Sequence, residues 1–109
     1  DSHPYFCQSD FDGNEINDYA ILLWKNESSI CIIVFNGINN SYNYQTLECF
    51  EKEKGSLDIV LSIEPKGEWS SIDETINVPY DGILVELLEE SQSFSYYWNK
   101  NKFKKYLYD

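Results

Sequence analysis

The stretch Ile-Cys-Ile-Ile-Val-Phe at residues 30–35 decides the fold class. Its β-branched side chains favour an extended strand, and apolar residues at both odd and even positions indicate burial on two faces. Turn-forming residues lie on both sides of it, at 26–29 and at 36–41. The stretch therefore predicts a central strand of an antiparallel sheet.

Working outward, six further runs of apolar and aromatic residues have the length and spacing of strands. The seven predicted strands cover residues 19–25, 30–35, 42–50, 57–63, 83–88, 93–98 and 102–108. The last two form a C-terminal hairpin over residues 93–108. No repeat or shift in composition divides the chain, so we expect residues 1–109 to form a single mainly β domain, an antiparallel sheet folded on itself.

Residues 64–81 interrupt the strand pattern. Pro65 and Gly67 end the preceding strand, and Ser71 and Glu74 have the Ser-x-x-Glu spacing of a helix capping box. We expect an irregular loop here, with one short helical turn near residues 71–76. A loop of this length in a small domain tends to carry function.

The chain is strongly acidic. Its 109 residues include 19 Asp and Glu against 8 basic residues, for a net charge of −11. Nucleic-acid phosphates and anionic lipid headgroups repel such a protein, and no apolar run is long enough to span a bilayer. We therefore expect neither nucleic-acid binding nor membrane insertion, and a basic protein is the expected partner.

The acidity is unevenly distributed along the chain. The last ten residues carry four lysines and one aspartate, so their net charge is +3, whereas the first 99 residues carry −14. Lysines on a terminal strand commonly protect a sheet edge from pairing with other chains. A basic docking patch is the alternative.

Three cysteines, Cys7, Cys31 and Cys49, leave two interpretations open. They are either three buried thiols or one disulfide with a leftover thiol. If a bridge forms, we expect it between Cys31 and Cys49, because these two flank a predicted hairpin. The chain has no methionine and begins at Asp1, which indicates a processed or trimmed protein.

One motif carries metal chemistry. Residues 10–18, Asp-Phe-Asp-Gly-Asn-Glu-Ile-Asn-Asp, place oxygen atoms at alternate positions of a short loop, as Ca²⁺ requires. The expected ligands are the side chains of Asp10, Asp12, Asn14 and Asp18 and the main-chain carbonyl of Ile16. An EF-hand is excluded, because its twelfth position needs Glu and Ile21 stands there. Since Asp, Asn and Gly are also the commonest turn residues, a metal-free turn is the alternative.

This motif resembles the calcium loop of FG-GAP/integrin-type repeats, which also precedes a strand. Glu15 departs from the pattern, because the family has a second glycine at that position. The residues that match are Asp10, Asp12, Gly13, Asn14 and Asp18. The resemblance covers about 11 of the 109 residues and does not imply a β-propeller.

A second resemblance is broader. The aspartate loop, the Asp-Gly-Ile-Leu segment at residues 81–84 and the Tyr-Tyr-Trp-Asn-Lys-Asn-Lys-Phe-Lys-Lys segment at 96–105 are similar to a group of small exported bacterial proteins. Small periplasmic immunity proteins have comparable size and charge. The resemblance implies a bacterial source and a periplasmic or secreted location.

Catalytic motifs are nearly absent from the sequence. His3 is the only histidine, there is no Cys-x-x-Cys pair, and no glycine-rich phosphate loop occurs. We therefore expect a protein that is not an enzyme.

Residues 64–81 fit a binding role better than a catalytic one. Trp69 and Tyr80 are of the aromatic type enriched at interface hot spots, and acidic side chains surround them. The predicted partner-binding residues are Glu64, Glu68, Trp69, Asp73, Glu74, Tyr80 and Asp81. The alternative for Trp69 is that it folds back onto the sheet as part of the core.

Two functions follow as hypotheses. The first is a non-catalytic inhibitor or immunity-type protein that blocks a basic toxin or cell-wall hydrolase in the bacterial periplasm, because opposite charge steers the encounter. The second is a calcium-stabilised structural or adhesion module, in which the acidity serves only solubility.

Overall fold

Strands account for all the regular secondary structure in the computed structural model, which describes residues 5–53 and 58–108. No helix occurs within those ranges, and ten strands replace the seven expected. The strands are β1 Phe6–Ser9, β2 Asp18–Asn26, β3 Ser29–Ile38, β4 Ser41–Glu51, β5 Ile59–Glu64, β6 Gly67–Ser70, β7 Thr75–Val78, β8 Gly82–Leu87, β9 Gln92–Asn99 and β10 Lys102–Leu107. The prediction of a mainly β, antiparallel domain is confirmed.

The strands form two four-stranded antiparallel sheets and one hairpin. The first sheet has the order β1-β2-β3-β4, the second has the order β10-β9-β8-β5, and β6 pairs with β7. Strand β1 neighbours β5 on one side of the molecule. On the other side, Phe50 of β4 contacts Phe94 of β9 across the two sheets. The two sheets therefore pack face to face as a sandwich.

The main core lies between the two sheets. Ile32 and Val34 of β3 are fully buried, as are Ile83 and Val85 of β8. Each such side chain contributes about 1.5–3 kcal/mol by leaving water. Stretch 30–35 is thus the central strand that its composition predicts, since β3 pairs with β2 on one edge and β4 on the other.

The prediction of an irregular loop with a helical turn at residues 71–76 is wrong. Residues 67–78 form the β6–β7 hairpin instead, and the main-chain N–H of Ser71 donates to the carbonyl of Glu74 at 2.8 Å. The Ser71 hydroxyl donates to the same carbonyl, so it closes a hairpin turn rather than capping a helix. The hairpin is favoured over the helical turn because it buries Trp69 and Val78 against Tyr106 of β10, in a second small core.

The disulfide expected between Cys31 and Cys49 is confirmed, and it joins the paired strands β3 and β4. Cys7 is a free, buried thiol. Burial raises the pKa of Cys7 to about 12, so its thiol stays protonated and unreactive at neutral pH.

The C-terminal hairpin consists of β9 and β10, and β10 is an edge strand of its sheet. Its lysines therefore stand where edge protection requires them. His3 and the start of the strand expected at residue 57 lie outside the described residues. Within the described ranges, no helix is long and apolar enough to cross a membrane.

Candidate functional site

The aspartate loop, residues 10–18, connects β1 to β2 at one end of the sandwich. Phe11 anchors it, because its side chain is fully buried in the main core. Gly13 and Glu15 both have left-handed backbone conformations, with φ values of 78° and 69°. Glu15 thus adopts a left-handed conformation that a Cβ makes costly.

Asp10 organises the loop through its carboxylate. Its Oδ1 accepts hydrogen bonds from the main-chain N–H groups of Gly13 at 2.8 Å and Asn14 at 3.1 Å. Its Oδ2 accepts one from Glu15 at 2.7 Å. Three main-chain donors therefore converge on one carboxylate and hold the loop in a tight turn.

Asp18 is the buried end of the loop. Its side chain is 0% exposed, and its two oxygens accept hydrogen bonds from the main-chain N–H groups of Phe11 and Gly37, each at 2.8 Å. Burial raises the pKa of Asp18 despite these two donors, which lower it. Gly37 belongs to β3, so Asp18 also fastens the loop to the neighbouring strand.

Asp12 is the third aspartate of the loop. Its carboxylate accepts hydrogen bonds from the side-chain amide of Asn36 and the main-chain N–H of Asn14, both at 3.3 Å. Burial, followed by the negative charge of Asp18, raises the pKa of Asp12 to about 6. The loop therefore holds a carboxylate whose charge is disfavoured by its surroundings.

The three aspartates come together in space. Asp10, Asp12 and Asp18 each offer a carboxylate oxygen, and these oxygens lie within 4.8 Å of one another. Such a group could hold a metal ion, since a cation would relieve the repulsion between the carboxylates.

The other two residues expected to supply ligands, Asn14 and Ile16, are hydrogen-bonded to each other, and Asn14 is also bonded to β3. The Asn14 side chain donates to the carbonyl of Gly37 at 2.7 Å and accepts from the main-chain N–H of Ile16 at 3.0 Å. The side chain of Ile16 lies close to Gly37. Asn36 and Gly37, which the sequence pattern did not single out, therefore form the floor of the loop.

Tyr80 and Asp81, two of the predicted partner-binding residues, lie against the aspartate loop and the end of β1. The Tyr80 ring lies so close to Gly13 that a Cβ there would overlap it. Asp81 accepts hydrogen bonds from the Ser9 hydroxyl and from the main-chain N–H of Lys66, both at 3.0 Å. Asp81 thereby ties the start of the loop to the segment that leads into β6.

Trp69 is part of the core, as the alternative interpretation had it. It is only 4% exposed, and its ring contacts Tyr97 and Tyr106 with centroids 5.7 and 5.8 Å away. Its indole N–H donates to the carbonyl of Pro65 at 2.9 Å. Trp69 therefore fixes the β6–β7 hairpin onto the outer face of the second sheet.

The tip of this hairpin carries an apolar residue that sequence reasoning missed. Ile72 is 85% exposed, the highest exposure among the exposed large hydrophobic residues. Glu68, Asp73 and Glu74 are exposed beside or near it, and no lysine of the described residues pairs with their carboxylates. Glu64 is half-buried. The pKa of the Tyr108 phenol is raised mainly by burial, and the nearby charge of Glu64 raises it further.

The sequence did not predict the exposure of Ile72, because the capping-box pattern around it indicated a helical turn. An isolated apolar residue between Ser71 and Asp73 was the available signal. The acidic tip, defined as residues 68–74 of the hairpin, thus carries one exposed apolar side chain and three carboxylates that pair with no lysine of the described residues.

Comparison of the chain with protein-family models, with curated proteins and with solved structures finds no match.

Proposed function

We propose that this protein is a non-catalytic binding domain that uses the acidic tip to dock onto a basic protein. In this role it acts as an inhibitor or immunity-type protein against a basic toxin or cell-wall hydrolase of the bacterial periplasm. The observation that carries the proposal is the exposure of Ile72, at 85%, among carboxylates that have no cationic partner in the described structure.

The tip combines the two features of a docking surface for a cationic partner. Covering an exposed apolar side chain with a pocket is favourable. The carboxylates of Glu68, Asp73 and Glu74, which pair with no lysine in the described part of the chain, attract basic side chains around that pocket. The net charge of −11 extends this attraction over a longer range and steers the encounter.

The hairpin is also held in place before any partner arrives. Trp69 packs between Tyr97 and Tyr106, and the Tyr106 hydroxyl donates to the carbonyl of Glu74 at 2.9 Å. A fixed tip loses little conformational entropy on binding, which favours affinity. The Cys31–Cys49 disulfide supports an oxidising compartment such as the periplasm.

The test captures partners from a periplasmic extract of the source cells and compares three forms of the protein. Ile72→Lys replaces the apolar centre of the tip by a positive charge, and Leu88→Lys makes the same change at another exposed apolar residue, in the β8–β9 turn. We expect wild type and Leu88→Lys to retain one basic protein and to inhibit its lytic or toxic activity, and Ile72→Lys to lose both. Equal capture by all three forms, or a captured partner that is acidic, would sink the proposal.

A second candidate function rests on a different observation. The clustering of Asp10, Asp12 and Asp18 within 4.8 Å supports a calcium-stabilised structural or adhesion module. All three ligands are hard oxygen donors on a short loop, a set that suits Ca²⁺ better than softer metals. Ca²⁺ bound there would fasten β1 to β2 and β3 and would stabilise the fold rather than catalyse a reaction.

Thermal melting with Ca²⁺ and with EDTA tests this second candidate. Ligand that binds only the folded state raises Tm, so we expect a higher Tm in Ca²⁺. Asp12→Asn should abolish most of the difference, whereas Asp73→Asn, which removes the same charge from the acidic tip, should leave it intact. An identical Tm for the wild type in both buffers contradicts a calcium site.

A further inference from the structure

Strand β4 is an edge strand with an exposed first half. It closes the order β1-β2-β3-β4, so its outer main-chain groups pair with no other described strand. Residues 41–44 are all exposed, and Tyr44 is 71% exposed. Unpaired main-chain N–H and carbonyl groups along such an edge are a template for another strand.

The first half of β4 lacks the usual protection of an edge. The opposite edge strand, β10, carries three lysines, but residues 41–47 of β4, Ser-Tyr-Asn-Tyr-Gln-Thr-Leu, contain no charge and no proline. The first acidic residue of β4 is Glu48, and it is already bonded to Lys105 at 3.0 Å and to Tyr96. In a chain with a net charge of −11, an uncharged exposed edge is the one stretch of β4 where a like-charged molecule can approach.

We propose that β4 pairs antiparallel with β4 of a second copy of this chain, which makes the protein a two-fold symmetric dimer. The pairing is centred on Asn43, so that residues 41–45 face residues 45–41 of the other copy. The two first sheets then join into one continuous eight-stranded sheet, and both edges are satisfied by main-chain hydrogen bonds.

The sequence of the edge favours a second copy over a foreign strand because it is complementary to itself. With Asn43 at the centre, Tyr42 faces Tyr44 of the partner subunit, and the amide side chains of the two Asn43 residues face each other. Aromatic pairs and amide pairs directly opposite each other both stabilise antiparallel sheets. The carboxylates of Glu48 and Glu51 lie beyond the paired segment, so like charges do not meet.

The outer face of the first sheet supports the same arrangement. Tyr19, Phe35 and Tyr44 form one row across β2, β3 and β4, and the Phe35 and Tyr44 ring centroids are 5.9 Å apart. Beside this row lies an apolar groove of about 320 Å³, which Tyr42 helps to line. In the dimer the aromatic row continues into the second copy, and Tyr42 and Tyr44 lose much of their exposure.

The experiment measures molar mass in solution against protein concentration, for the full chain. We expect the mass to approach twice 12.8 kDa as the concentration rises. Asn43→Lys places two positive charges opposite each other at the centre of the pairing, and we expect it to remain monomeric. Leu23→Lys changes an exposed residue of the interior strand β2, and we expect it to dimerise like the wild type.

A cross-link locates the contact. Directly opposite residues of an antiparallel pair have Cβ atoms about 4.5–5.5 Å apart, so Asn43→Cys should form a disulfide between two copies under mild oxidation. Asn77→Cys, on the exposed hairpin strand β7, should not. A wild type that stays monomeric at every concentration overturns the proposal, whether or not the edge accepts a foreign strand. So does a dimer that Leu23→Lys breaks and Asn43→Lys does not, because it would use the sheet face.

Ionic strength separates this dimer from docking through the acidic tip. Two copies of net charge −11 repel each other, so salt should strengthen the dimer. Binding of a basic partner at Ile72 should weaken with salt. The two proposals can therefore fail independently.

Discussion

The ring of Tyr80 lies directly against the α-carbon of Gly13, in the space that a Cβ would occupy. The segment between β7 and β8 therefore closes over the aspartate loop, and the loop is held from two directions. Gly13 also has a φ of 78°, which L-residues with a side chain rarely adopt.

We expect Gly13→Ala to lower the free energy of unfolding by about 1–2 kcal/mol through the left-handed backbone alone, and by more because the new methyl group displaces Tyr80. Urea unfolding measures the change. In a Tyr80→Ala background the loss caused by displacing the Tyr80 ring should vanish. The two substitutions should therefore couple in a double-mutant cycle. Strict additivity would mean that the Tyr80 contact is irrelevant to stability.

Trp69→Ala should lower the free energy of unfolding by about 3–5 kcal/mol, because it empties the second core beneath the hairpin. Ile72→Ala, three residues away on the exposed tip, should change it by less than about 0.5 kcal/mol. Calorimetry on both variants checks the contrast. If the two substitutions had similar effects, the packing of the hairpin onto β9 and β10 would be wrong.

In EDTA, the protein should become more stable as the pH falls from about 7 to about 5. The pKa of Asp12 rises from 3.8 to about 6 in the folded protein, so the folded state binds this proton more tightly than the unfolded chain. Above a pH of about 6, the charged Asp12 carboxylate lowers the free energy of unfolding by its full amount. This destabilisation disappears as the pH falls toward 3.8, where the carboxylate is protonated in the folded protein. Asp18, whose pKa is also raised, acts in the same direction.

Urea unfolding at several pH values in EDTA measures this dependence. Asp12→Asn removes the titrating group, so it should flatten the pH dependence and stabilise the protein at neutral pH. A wild-type stability that falls as the pH is lowered through this range would contradict the assignment. Saturating Ca²⁺ should oppose the trend, because the ion favours the charged carboxylates.

The Cys31–Cys49 bond closes a loop with a sequence separation of 18 residues. Replacing both cysteines by serine should lower the free energy of unfolding by about 3 kcal/mol, because the unfolded chain regains the freedom that the bond removes. Cys7→Ala keeps the bond and tests the free thiol alone. A double serine variant as stable as the wild type would show that the bond adds nothing.

Much of the sandwich could be predicted from local patterns, because the strands that fill the main core are long and apolar. The run at residues 30–35 sits in β3 as expected, and the cysteines that flank the β3–β4 turn are joined. The loop around Asp10 was also recognisable, because the aspartates that come together in it lie within nine consecutive residues.

The parts that sequence reasoning missed depend on contacts between distant residues. Strand β1 is only four residues long, and its pairing with β2 makes it a strand. The β6–β7 hairpin exists because Trp69 meets Tyr106, and local spacing alone suggested a helical turn instead. Likewise, no local pattern could place Tyr80 on Gly13, since 67 positions of chain separate them.

The β6–β7 hairpin covers the outer face of the second sheet, so β9 is covered on both of its faces. Phe94 and Tyr96 are buried toward the first sheet, while Ser95 is buried on the other side, where its hydroxyl meets that of Tyr108 at 2.6 Å. Amide hydrogens of such a strand exchange with solvent only when the whole domain opens. β9 should therefore report the global unfolding free energy in hydrogen-exchange measurements, while the first half of β4 exchanges early in the monomer.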